Sequence, residues 1–260
     1  MGPVDFSEFV DDLATLSGKA ILPFFRSALP FENKSAGGAV DPVTEADRAA
    51  EAVMRGLIKR VFPGHGVIGE EFECENADAE FVWVLDPLDG TKAFIAGLPL
   101  WGTLIGLIRN QSPTYGMMSQ PYTGERFFGD GGGSTFRGRD GERKLKTSRT
   151  VALGDATLST TSPRLFTGTR LEAYDRVEAE VRLARYGYDC YAYCMLAAGH
   201  IDLVIEDGLK PYDIMALIPI IEGAGGVVTS WEGGSATGGG SVVAAANRRL
   251  HDAALRLLNP

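Results

Sequence analysis

An apolar run from Phe81 to Leu85 ends in two aspartates three residues apart, Asp86 and Asp89, and passes at once into Gly90 and Thr91. A shorter apolar run ends just before Glu70 and Glu71. If these runs are neighbouring strands, Glu70, Asp86 and Asp89 converge at one sheet edge. Gathered carboxylates repel and raise each other's pKa unless a cation sits between them. No His or Cys accompanies them, and hard oxygen donors select Mg2+ over zinc. Gly90 and Thr91, opening a helix, would turn backbone N–H groups towards whatever lies above the acids, and such groups bind phosphate. Acids that hold a cation beside a phosphate cradle make a site for phosphoryl chemistry, in which the cation neutralises the phosphate and activates water. The competing reading is local: Asp-Pro and Asp-Gly are ordinary turn formers, and Glu70-Glu71 can be a solvated strand end.

The rest of the composition narrows the alternatives. The 260 residues are 45% hydrophobic, enough for one large domain or two closely packed halves. The formal net charge of -9 disfavours nucleic acid and anionic membranes, which need clustered Lys and Arg. No apolar run approaches the ~20 residues of a membrane span. Asp5, Glu8, Asp11 and Asp12 break the basic-then-apolar order of a signal peptide, so the reading is cytoplasmic. His65, His200 and His251 are scattered unlike zinc ligands, and no G-x-S-x-G elbow occurs. Cys74, Cys190 and Cys194 form no C-x-x-C and read as reduced thiols.

The elements that must position the acids follow from periodicity. Phe6, Phe9, Val10, Leu13 and Leu16 predict an amphipathic helix running towards Phe25. A second helix starts at Thr44, with Asp47 near its positive end and Val53, Leu57 and Val61 on its apolar face, and stops at Pro63. Between them, Glu32 to Pro42 reads as a polar, glycine-rich connection and a possible lid. From residue 66, short β-rich runs predict a large antiparallel or mixed sheet, and residues 131–142 read as a hairpin tip. The second half alternates. Strands are expected at 156–161, 201–207, 227–231 and 241–247, with helices at 171–184, 188–200, 212–226 and 248–258. The halves divide near 145–155, giving an N-terminal α+β half, 1–150, with most of the acids and a C-terminal α/β half, 151–260.

Gly69 to Glu71, Trp83 to Phe94 and Pro211 to Gly226 together resemble the inositol monophosphatase-like family of magnesium-dependent, lithium-sensitive phosphatases, and the order of motifs covers nearly the whole chain. The resemblance implies an α+β fold, a layered α/β/α/β/α sandwich of the inositol monophosphatase and fructose-bisphosphatase type, forming a homodimer. It implies two or three Mg2+ per active site, held by Glu70, Asp86, the Leu88 carbonyl, Asp89 and Asp213. By the same similarity Thr91 and Glu70 position the attacking water, Asp47 polarises the Thr91 hydroxyl, and Gly90 and Thr91 hold the phosphate. Asp213 is also a good helix N-cap, a role compatible with metal binding. Tyr212 stands where the family usually has Trp. Lys34 falls where the family's loop completes the metal site, although this loop differs in length.

The family includes phosphatases for inositol phosphates, fructose bisphosphate, nucleotide bisphosphates and histidinol phosphate, so the small-molecule ester must be argued from the pocket. Arg185 to Asp213 aligns with the family stretch that contacts the leaving group. There Asp189 replaces a small apolar residue of inositol phosphatases, and Glu206 matches a substrate-contacting glutamate. Two carboxylates suit a cationic alcohol through charge-assisted hydrogen bonds. With Lys92 in Asp-Gly-Thr-Lys, this resembles the histidinol-phosphatase branch and implies a place in histidine biosynthesis. Arg185 either steadies these acids or faces solvent, and Asp189 has the alternative of capping its helix. The rival functions are an inositol or broad sugar-phosphate phosphatase and a non-catalytic Mg2+-binding protein. Retention of Glu70, Asp47 and Thr91 together argues against the last.

Overall fold

The structure, a computed structural model, describes residues 6–27, 31–33 and 42–259. In chain order its elements are α1 (Phe6–Ile21), β1 (Phe31–Asn33), β2 (Pro42–Thr44), α2 (Glu45–Val61), β3 (Gly66–Gly69), β4 (Phe81–Asp89) and α3 (Thr91–Ile95). There follow β5 (Gly102–Arg109), β6 (Ser112–Gln120), β7 (Glu125–Gly129), β8 (Ser134–Gly138), β9 (Gly141–Lys144), β10 (Thr157–Thr160), α4 (Thr169–Glu178) and β11 (Leu183–Tyr186). The chain closes with α5 (Asp189–Ala197), β12 (Leu203–Leu209), α6 (Pro211–Ile214), α7 (Leu217–Gly223), β13 (Val227–Ser230), β14 (Gly240–Ala245) and α8 (Arg248–Leu258).

Strands β3 to β9 form a seven-stranded sheet in sequence order, parallel only between β3 and β4. A second, five-stranded sheet has the order β11-β10-β12-β14-β13. Period-3.6 apolar stripes on α1 and α2 explain the first layer: Val10, Leu13, Met54 and Ile58 pack on Trp83, Leu85, Ile105 and Met117 of the large sheet. The expected apolar face of α2 is corrected: Val53 and Val61 are exposed, Leu57 lies at the edge of the core, and the packed face is shifted by one residue to Met54 and Ile58. On its other face Leu104, Met118 and Phe127 meet α5 and α7, which in turn meet Val204, Val242 and Ala244 of the small sheet. Helices α4 and α8 cover the far side of that sheet through Tyr174, Val177, Leu250 and Ala254. The layering is the expected α/β/α/β/α sandwich. No helix among the described residues is long and apolar enough to cross a membrane.

Two further helix expectations are corrected. The helix expected over 171–184 stops at Glu178, and Leu183–Tyr186 becomes strand β11. The open edge of β10 explains this, since it takes up Leu183 opposite Thr157 in parallel register, overriding the helical propensity of the segment. The helix expected over 212–226 is broken into α6 and α7. At the break the backbone lies flat on the large sheet, where a Cβ on Gly116 would fall 1.8 Å from the Ala216 carbonyl oxygen. Pro219, which has no N–H to continue an earlier turn, stands in the first turn of α7. The first helix ends at Ile21 and continues as turns through Phe25. The expected hairpin tip is the β8–β9 pair. Most of the Glu32–Pro42 connection, and with it the lid, lies outside the described residues.

One polar device ties α2 to the end of β3. Glu51, fully buried, accepts from the Glu71 N–H at 2.8 Å and pairs with Arg55 at 2.7 Å. Arg55 also reaches Glu75 at 3.1 Å and the Phe72 carbonyl at 3.2 Å. Gly69 is forced by this packing, because a Cβ there would stand 1.9 Å from Glu51 Oε1. Arg55→Ala leaves a buried carboxylate without its partner, so unfolding by denaturant should show a loss of about 3 kcal/mol. An unchanged midpoint would remove this pair from the account of the site's scaffold.

Candidate active site

In a regular strand, residues three apart point to opposite faces. Asp86 and Asp89 nonetheless meet, because the β4–β5 register slips between them: Asp86 lies opposite Leu104 and Asp89 opposite Gly102. Strand β4 therefore carries one extra residue, a bulge that re-aims its end. Pro87 sits within it, where the ladder asks for no N–H. The Pro87 carbonyl accepts from Thr103 Oγ1 at 2.8 Å, and Thr103 is 2.9 Å from Ser17 Oγ on α1. The Leu88 N–H donates to Asp86 Oδ1 at 3.0 Å. Gly90 follows with φ +85°, and a Cβ would stand 2.8 Å from the Leu100 carbonyl oxygen, so both conformation and space require glycine.

The parallel pairing of Gly69 with Leu85 delivers Glu70 and Glu71 beside this bulge. Two acid groups result. Ligand oxygens of Asp86, Asp89 and Asp213 lie within 4.8 Å of one another, and so do those of Asp47, Glu70 and Glu71. Glu71, absent from the expected ligands though part of the same motif, also pairs with Arg48 at 3.3 Å. Backbone N–H groups orient the first group: Cys190 donates to Asp89 Oδ2 and Lys210 to Asp213 Oδ2, each at 2.6 Å. The Thr91 hydroxyl donates to the Leu88 carbonyl at 3.1 Å. Pairing with Asp47, as expected from the sequence, would require that proton to turn.

The electrostatics follow from crowding. Burial, then the charges of Glu70, Asp89, Asp213 and Asp47, drive the Asp86 carboxyl well above the usual range. Burial, Asp189 and Asp213 do the same to Asp89, partly offset by Cys190. Asp213 is pushed up to about 6, chiefly by burial and against the hydrogen bond from Lys210. Acids held apart from bulk water and against their own repulsion either take up protons or are kept ionised by a bound cation. The donors in both groups are all oxygens, which fits Mg2+.

Across the site stand the residues expected on the substrate side. Thr161, which the sequence reading did not single out, donates its N–H to Glu206 Oε1 at 2.5 Å and its hydroxyl to Asp189 Oδ1 at 3.3 Å. Thr160 Oγ1 adds a bond to Glu206 Oε2 at 3.2 Å. Burial pushes Glu206 up to about 7, with Asp189 adding and the threonines opposing. Asp189 is also raised by burial, against Thr161 and the nearby Lys92 ammonium. It takes φ +44°, a left-handed conformation that costs a non-glycine residue about 1–3 kcal/mol. The bend sets its carboxylate against Thr161 and the next N–H against Asp89. Asp189 is the first helical residue of α5, and the cap position, Tyr188, offers no side-chain cap. Arg185 is exposed and donates from Nε to the Tyr188 hydroxyl at 3.0 Å. Lys34 lies outside the described residues.

The order of these motifs along the chain matches the family model described as the inositol monophosphatase family over residues 5–259. The chain belongs to the inositol monophosphatase family of phosphatases. It is 42% identical to the chloroplastic bifunctional phosphatase IMPL2 of Arabidopsis thaliana, over 97% of this chain and 75% of that one. It is 37% identical to a histidinol-phosphatase of Mycobacterium tuberculosis, over 84% and 85% of the two chains. Among solved structures, an inositol monophosphatase from Zymomonas mobilis superposes with TM-score 0.86 at 36% identity, covering 99% of this chain and all of that one.

The raised acids fix the sign of a pH dependence. A carboxyl whose folded pKa exceeds its unfolded value binds more protons in the native state, so metal-free stability falls as pH rises from about 4 to the folded value. For Asp213 that upper limit is about 6, and for Asp86 and Asp89 the shift has the same direction. In chelator the melting temperature should therefore be higher at pH 5 than at pH 7.5, and Mg2+ should restore it at pH 7.5. A chelated protein equally stable at both values, with no response to Mg2+, would contradict the cluster's electrostatics.

Proposed function

We propose that the protein is a Mg2+-dependent phosphomonoesterase acting on histidinol phosphate, yielding L-histidinol and phosphate. The observation that carries the substrate is the Thr161 bridge between Asp189 and Glu206. Two linked carboxylates are poorly suited to a neutral polyol and well suited to the ammonium and imidazole of histidinol, which form charge-assisted hydrogen bonds. Similarity to the Arabidopsis bifunctional phosphatase and the mycobacterial histidinol-phosphatase supports the same reading. A second reading, an inositol phosphate as substrate, is favoured by the likeness to the Zymomonas inositol monophosphatase. There a neutral Glu206, near pH 7, would share hydrogen bonds with hydroxyls.

Glu70, Asp86, the Leu88 carbonyl, Asp89 and Asp213 would hold Mg2+, with Asp47 and Glu71 beside Glu70. When bound, Mg2+ neutralises phosphate charge and makes water more acidic. The chain's own groups supply orientation. Gly90 and Thr91 N–H groups receive the phosphate oxygens. The Thr91 hydroxyl, its proton on the Leu88 carbonyl, offers a lone pair to a proton of the attacking water, while Glu70 accepts the other. The water oxygen bonds to phosphorus as the phosphorus–oxygen bond to the alcohol breaks on the opposite side; the water gives up one proton through Glu70 to solvent, and the leaving oxygen takes one proton from a solvent water.

The test is phosphate release from histidinol phosphate, inositol 1-phosphate and fructose 1,6-bisphosphate, each with Mg2+ and with chelator. Turnover should vanish with chelator and favour histidinol phosphate, whereas equal rates on the neutral esters would retain the phosphatase and discard this substrate. Asp189→Asn should raise KM for histidinol phosphate about tenfold, the worth of one charged hydrogen bond, and leave that for inositol 1-phosphate nearly unchanged. Thr91→Ala should lower kcat about 100-fold with little change in KM, since a positioned water matters in the transition state. A KM effect without a kcat effect would move Thr91 out of the water site.

A further inference from the structure

Tyr193 is 3% exposed, and its hydroxyl has no hydrogen-bond partner among the described residues. Other tyrosines around the small sheet are satisfied: Tyr174 and Tyr186 donate to Glu178, Tyr191 donates to Glu125, and Tyr188 accepts from Arg185. A buried phenol left without a partner costs stability and calls for a reason, because replacing it by phenylalanine would keep the packing and remove the cost. Its position supplies one. Tyr193 lies one turn after Asp189 on α5, so the two share a helix face. The charges that bear on its phenol are Glu206 first, then Asp89 and Asp213. In the core Tyr193 also packs with Val204 of β12, and Glu206, two residues further along that strand, faces the same side. The Thr160 and Thr161 donors use one bond to each Glu206 oxygen, and a carboxylate has about four lone-pair directions, so Glu206 retains capacity to accept.

We propose that Tyr193 is a positioning residue for the leaving-group pocket: its hydroxyl donates to Glu206 when a cationic alcohol holds that carboxylate ionised. This rests on the reading of Asp189 and Glu206 as the leaving-group acids. The phenol fixes the carboxylate's orientation without touching the substrate, and so acts on ground-state affinity and selectivity more than on the chemical step.

Tyr193→Phe in the Mg2+-loaded enzyme separates this from a purely structural role. KM for histidinol phosphate should rise about tenfold or more, the scale of one hydrogen bond to a charged group, with a smaller change in kcat and in KM for inositol 1-phosphate. The melting temperature should hold or rise, because a packed phenyl ring remains. Glu206→Gln is measured beside it. If Glu206→Gln raises KM while Tyr193→Phe leaves it unchanged, only the role of Tyr193 is overturned. If neither changes KM for any ester, the leaving-group reading fails and the proposal with it.

Discussion

Like-charged carboxylates resist being gathered and resist being buried, and the site gathers six of them in two groups. That repulsion is the constraint on which the surrounding structure depends. Without a cation the acids move towards the neutral form, as the raised Asp86, Asp89 and Asp213 carboxyls indicate. The scaffold must hold them in place regardless. It does so with donors already fixed by the fold: the Cys190, Lys210 and Leu88 N–H groups each serve an oxygen of Asp89, Asp213 and Asp86 respectively.

Holding acids against repulsion demands departures from regular geometry, and these cluster at the site. Strand β4 carries a bulge, Gly90 turns left-handed against the Leu100 carbonyl, and Asp189 accepts a left-handed backbone without being glycine. Each departure aims a specific group: the bulge brings Asp89 to Asp86, and the Asp189 bend turns the Cys190 N–H to Asp89. Local strain persists only where neighbouring structure over-determines it. Here the neighbours are tight, with Thr103 and Ser17 holding the bulge carbonyl from α1 and the Glu51–Arg55 pair holding the end of β3 from α2.

The two sides of the acidic site are mechanically continuous. Adjacent residues of one bend, Asp189 and Cys190, meet Thr161 beside Glu206 and the Asp89 carboxylate respectively. Asp189 also contributes to the raised pKa of Asp89, Asp213 and Glu206. Neutralising either set of acids therefore lowers the repulsion felt by the other.

The sequence by itself determined which residues hold charge and which segments are amphipathic. Glu70, Asp86, Asp89, Gly90 and Thr91 were legible because they sit at the ends of apolar runs, where a strand edge or helix start exposes them. The layered fold was legible through the resemblance of whole motifs, and Asp213 through that resemblance alone. What only the tertiary structure decided were relations between distant segments. Thr161 meets both Glu206 and Asp189 because β10 lies beside β12 and precedes α5 in space, a proximity that no local pattern encodes. Leu183–Tyr186 became a strand because β10 offered an edge, against its own propensity. The segment 212–226 read as one helix; the close approach of Ala216 to Gly116, with Pro219 in the first turn of α7, explains why the chain breaks there. Local chemistry is written residue by residue, whereas pairing, bulges and crowding arise only when separate elements share one space.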